Sequence, residues 1–157
     1  MVNNFRFELS FKEIYQLEKK LIFCKNNNIN KINIPCKGVI KKKFLYETID
    51  FIGNNFNELD VIYHYSLYHQ YTQNKDTSYE TFQNFIEMCN YYGNKNILLV
   101  SGSNKKRNFD VLDLMNNLLD KKNFKTNLGV VYNPYLKKYF NISEERERIQ
   151  KKISLGL

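Results

Sequence analysis

Asn96-Ile97-Leu98-Leu99-Val100-Ser101-Gly102-Ser103 carries the strongest strand signal in the chain. Its four successive apolar residues, bounded by Asn and a small-residue turn, predict a strand buried on both faces, the habit of parallel sheets. On its C-terminal side, Leu112, Met115 and Leu119 recur at helical spacing. A second apolar run, Thr126-Asn127-Leu128-Gly129-Val130-Val131-Tyr132-Asn133-Pro134-Tyr135, is stopped by proline, and a basic helix follows toward Leu157. On the N-terminal side, Leu59 to Tyr65 reads as a strand. A polar connection from Tyr68 to Asp76 leads from it to Thr77-Ser78-Tyr79-Glu80, a capping box opening a helix that buries Phe82, Phe85, Ile86 and Cys89 and closes at Gly93.

Further toward the N-terminus the same alternation repeats. Lys31-Ile32-Asn33-Ile34-Pro35 is a strand with Ile32 and Ile34 on one face, followed by a helix with Leu45, Ile49, Ile52 and Phe56 inward. Phe5-Arg6-Phe7-Glu8-Leu9 is a short strand, and Ser10-Phe11-Lys12-Glu13 reads as the capping box of a helix whose buried stripe is Ile14, Leu17, Leu21 and Cys24. The order is therefore β-α five times over residues 1–157, in repeats of roughly 30 residues, the size of one βα unit. Strands alternating with helices imply a parallel sheet in one α/β domain. Two architectures meet that description: a partial TIM-type (β/α) barrel of about five βα units, or an open doubly wound five-stranded sheet. Length alone favours the open sheet.

Composition bounds the partners. The 157 residues are 43% hydrophobic and 15% aromatic, with a net charge of +8, which describes a globular chain and excludes disorder. Excess positive charge ordinarily points to nucleic acid. Here it is discounted. The chain has no Ala and no Trp and is crowded with Asn, Lys, Ile, Tyr and Phe, the mark of an AT-rich coding sequence, and its basic clusters are scattered. Cys24, Cys36 and Cys89 are far apart and without neighbouring His, so neither a disulfide framework nor a metal site is expected. No apolar run reaches the roughly 18 residues of a membrane span and the N-terminus lacks signal-peptide character, so the expected setting is the cytoplasm, without membrane or nucleic-acid partners.

Ligands of parallel α/β proteins gather at the carboxyl ends of the strands. Those ends carry Glu8, the Pro35-Cys36-Lys37-Gly38 segment, His64, Ser101-Gly102-Ser103 and Tyr132 with Tyr135. A carboxylate at Glu8 suits a general acid if its surroundings raise its pKa. His64 taken alone is more often a core histidine than a ligand. The small turn at Gly102 lets backbone approach a ligand, but it is neither a GxGxxG nor a Walker loop. In the last helix Glu145, Arg148 and Lys152 share one face, while Ile149 and Ile153 are expected to line the core-facing stripe beside it. The bland alternative is a solvated ion-pair ladder.

Together these strand ends resemble the methylenetetrahydrofolate reductase family, flavin-dependent (β/α)8 barrels, over its first five βα units. Phe5-Arg6-Phe7-Glu8 is similar to the family's opening FxFE strand, which implies that Glu8 is the general acid that activates the folate. His64 resembles the family's flavin-contacting His, and Gly102 the Gly of its RGD turn, with Ser103 at the Asp position. Leu128 to Pro134, including Tyr132, is similar to its fifth strand. Glu145, Arg148 and Lys152 ahead of Leu155-Gly156-Leu157 resemble the positions before the KxxAGA ending that help hold the ribityl and phosphates. The resemblance implies FAD as cofactor, NADH or NADPH as reductant, and reduction of methylenetetrahydrofolate to methyltetrahydrofolate. Ser101 and Ser103 replace the Arg and Asp of the RGD turn, Pro35-Cys36-Lys37 replaces a Thr-Tyr strand end, and no Pro-Pro follows Glu8. The family's sixth strand would begin where the sequence ends. Hence a second expectation stands beside the first: a non-catalytic half-barrel that assembles with itself or with a partner chain.

Overall fold

The computed structural model describes residues 5–36, 42–101, 108, 110–119, 126–131 and 142–155. Five strands and five helices alternate along it: β1 (Phe7–Glu8), α1 (Ile14–Asn26), β2 (Lys31–Ile34), α2 (Lys42–Asn55), β3 (Asp60–Ser66), α3 (Lys75–Tyr91), β4 (Asn96–Val100), α4 (Val111–Leu119), β5 (Asn127–Val130) and α5 (Ile142–Ser154). The strands form a single sheet in the order β1-β2-β3-β4-β5, parallel at every pairing. The α/β class, the five-stranded parallel sheet and its alternation with helices follow the expectation from sequence. Among the described residues no helix is long and apolar enough to cross a membrane.

Helix starts differ from the sequence reading, each for a local reason. Glu13 is extended at the N-terminus of α1 and makes no side-chain cap, so the helix begins at Ile14 without the expected capping box. Ser10 stays outside, its carbonyl taken by Lys20 Nζ. In α3 the cap is Asn74, whose Oδ1 accepts from the backbone N–H of Asp76 at 2.7 Å and Thr77 at 3.2 Å. Asn is the stronger cap residue, so the helix starts ahead of the predicted Thr77. α4 opens with a reciprocal pair: Asp113 N–H donates to Asp110 Oδ1 at 2.9 Å, and Asp110 N–H to Asp113 Oδ2 at 3.1 Å. Gly93 ends α3 as predicted, at φ +75°.

Register separates the two faces of the sheet. In-register neighbours lie side by side on the same face, so Ile32 with Val61, Ile34 with Tyr63 and Ile97, and Tyr65 with Leu99 form one apolar surface. That surface is buried against Leu17 and Leu21 of α1, Ile49 and Ile52 of α2, and Phe82, Phe85 and Cys89 of α3, in one continuous core. Tyr65 packs against the rings of Phe82 and Phe85 at centroid separations of 4.9 and 4.8 Å. The opposite face carries Glu8, Asn33, Ile62, His64, Leu98 and Gly129. Leu98 and Val100 are only half-buried there, so the two-sided burial expected of β4 is complete on the core face alone.

β1 has only two residues in the ladder, and a side chain supplements it. Arg6 Nη1 donates to the carbonyls of Ile32 at 3.2 Å and Asp60 at 3.0 Å, and Nη2 pairs with the Asp60 carboxylate. One guanidinium thus spans β1, β2 and β3.

Candidate functional site

Glu8 and His64 project on the face opposite the core, where the strand pairing puts them in one plane. Glu8 is level with Asn33, and Asn33 with Ile62. His64, one pleat further along β3, is level with Leu98 and then Gly129. Strand spacing and rise separate Glu8 from His64 by roughly 12 Å between Cα positions. Glu8 is exposed and His64 is buried. The carboxylate therefore stands at an open edge and the imidazole sits deeper along the same surface.

Sequence reasoning missed the row His64, Leu98, Gly129. Gly129 has no side chain, and a Cβ there would lie 3.3 Å from Leu98 Cδ1. The row is therefore an imidazole, an aliphatic side chain and a residue without one, a shelf whose β5 end Leu98 Cδ1 partly covers. The signal was in the sequence as a glycine inside a strand, which marks close approach by something else. Asn33 was also missed: its Oδ1 is buried and has no hydrogen-bond partner among the described residues.

At the far edge, α5 brings together the residues expected to share a face, but that face points the other way. Lys152 is 4% exposed and Glu145 is buried, whereas Ile153, expected in the core, is 58% exposed. The polar stripe is turned inward because it lies over the carboxyl end of β5, where backbone carbonyls need donors. Lys152 Nζ reaches the carbonyl oxygen of Val131 at 3.5 Å, and Arg148 Nη1 donates to Glu145 Oε2 at 3.1 Å. The solvated ladder that spacing alone suggests is thus replaced by a largely buried group.

Burial, and then the nearby Arg148 charge, push the Lys152 pKa down; Glu145 and Asp110 pull it partly back. An ammonium offers three donors, and among the described residues that of Lys152 makes one long bond. Two neighbouring cations, with the Lys152 ammonium making one long bond among the described residues, fit an anionic group such as a phosphate. Gly102, Ser103 and Tyr132 lie outside the described residues, as do Pro134 and Tyr135. The structure thus places Glu8 on the edge strand β1 and His64 on the central strand β3 of one sheet face, and groups Glu145, Arg148 and Lys152 on α5 beside the end of β5, the other edge strand.

Compared with known protein families and with curated proteins, the chain matches none.

Proposed function

We propose that this chain is a flavin-binding α/β protein of the methylenetetrahydrofolate reductase type, working in the cytosol on a folate, and that its sheet is an arc of a (β/α) barrel wall. The observation that carries the reading is the placement of Glu8 and His64 on one sheet face, although they are distant in sequence. A strand order that follows the chain without reversal supports an arc, since doubly wound sheets turn back at a switch point. The shelf of His64, Leu98 and Gly129 suits a planar ring. Lys152 and Arg148 suit the phosphates of FAD. Bound FAD would supply hydride transfer from NADH or NADPH to the folate. Glu8, at the open edge, would give its proton to the folate, and His64 would hold the ring against the shelf.

The test is an absorbance spectrum of the purified protein. Flavin bands that survive desalting, or that return on adding FAD, support the reading. Colourless protein that takes up no FAD leaves the fold without this function.

A second reading is favoured by the sheet edges. Phe5 and Phe7 are exposed beside β1, and Val131 and Ile153 beside β5. Apolar side chains next to unpaired strand edges suit a non-catalytic half-barrel that assembles with a second copy or a partner chain. Solution mass at low micromolar concentration decides it: a strictly monomeric, well-folded chain speaks against self-assembly.

A further inference from the structure

We propose that one water molecule is a built-in part of the rim between β3 and β4, held by Gln70, Tyr65 and Asn108. These residues, with Leu67 and Ser78, line a cavity of about 10 Å³, close to the least volume that admits one water.

The hydrogen-bond inventory identifies the occupant. Gln70 is 4% exposed; one N–H of its Nε2 donates to Cys36 Sγ at 3.7 Å, while its Oε1 is buried and has no partner among the described residues. Asn108 Nδ2 is surrounded by acceptors: Ser78 Oγ at 2.7 Å, Thr72 O at 2.8 Å and Asn74 O at 3.2 Å. All three of these bonds are made by Nδ2 and none by Oδ1. Ser78 drops out as a ligand. Its Oγ accepts from Thr72 N and Asn108 Nδ2, and because the Thr72 hydroxyl donates to Asn74 O, the Ser78 proton goes to Thr72 Oγ1. Among the described lining residues this leaves two side-chain carbonyl oxygens and the phenol of Tyr65, which burial keeps protonated.

Two acceptors and one donor match water, which gives two protons and accepts one. Among the described residues no carboxylate lines the cavity to hold a cation, and an anion would face two carbonyl oxygens. The water completes a chain from Cys36 after β2, through Gln70 after β3, to Asn108 ahead of α4. Asn108 in turn clasps Thr72 and Asn74. Three strand ends are thereby held in one arrangement before any ligand arrives.

A crystal structure that resolves ordered solvent tests this directly, together with amide exchange in Gln70→Met, which keeps the length but loses the acceptor. The expected result is a water within hydrogen-bond distance of Gln70 Oε1 in the unaltered protein, its loss in the variant, and exchange at Tyr71 and Thr72 faster by about tenfold. A dry cavity, or a protein group bonded to Gln70 Oε1, overturns the proposal. So does unchanged exchange in a folded variant. If Gln70→Met fails to fold, the solvent structure of the unaltered protein decides alone.

Discussion

The ring of Tyr92, just past the end of α3, occupies the space beside Gly53 of α2 that a side chain would fill. A Cβ at Gly53 would lie 2.2 Å from Tyr92 Cδ1 and 2.3 Å from Cγ. The ring is fixed at its far end, where the hydroxyl donates to Asp50 and accepts from Asn54 Nδ2. Gly53→Ala should therefore destabilise the fold by about 1–3 kcal/mol, the cost of overpacking. In a Tyr92→Ala background the same substitution should cost little, and urea denaturation of the four proteins gives the coupling. A Gly53→Ala protein as stable as the parent would mean that Tyr92 moves aside freely.

Helix α3 offers a test of capping. Asn74→Ala removes the acceptor for two backbone N–H groups and should cost about 1 kcal/mol. Thr77→Ala, at the residue that sequence pattern alone nominates, should change stability by a few tenths at most. Equal losses would place the cap elsewhere.

Alkaline pH should unfold the protein ahead of any general charge effect. Burial pushes up the thiols of Cys36 and Cys89 and the phenols of Tyr63 and Tyr65. Each native group keeps its proton after the unfolded chain has lost it, so stability is full below the unfolded values, about 8.5 for Cys and 10 for Tyr, and falls as pH rises past them. Chemical denaturation from pH 7 to pH 11 should show this decline, less steep in Cys89→Ala. A flat profile would show these groups to be hydrated.

Lys152 carries the opposite sign. Its native pKa lies below the unfolded value, so the charge costs stability at neutral pH, and the cost is relieved as pH climbs toward about 10.4. Lys152→Met should be more stable than the parent by about 1 kcal/mol at pH 7, with the gap closing in alkali. If the phosphate reading holds, Lys152→Ala should also weaken FAD retention by tenfold or more, while Lys20→Ala leaves it unchanged. Stability gained together with ligand lost would mark Lys152 as a binding group maintained at a cost to the fold; equal FAD retention in the two variants would make it structural.

The order of elements was legible because each βα unit announces itself twice, by an apolar run and by a helical stripe. Leu17 with Leu21, Ile49 with Ile52, and Phe82 with Phe85 all fall in the core where periodicity puts them. α5 was misread because periodicity ranks residues by hydropathy, and over a strand end the need for donors outweighs it: Lys152 goes in and Ile153 stays out. The site was half legible. Parity along β1 and β3 suffices to put Glu8 and His64 at strand ends, but their common face depends on register, which no single strand encodes. The shelf at Leu98 and Gly129 depends on it as well.

Register is also where Arg6 matters beyond the bonds it makes. A strand of two paired residues could slide by two positions along β2 and still keep every side chain on its proper face, so oil-and-water patterning would not detect the slip. The guanidinium would: such a slide carries it about 7 Å away from Ile32, Asp60 and the carboxylate it grips. One long side chain thus serves as the gauge that sets the height of Glu8 against His64, and with it the alignment of any molecule laid across both.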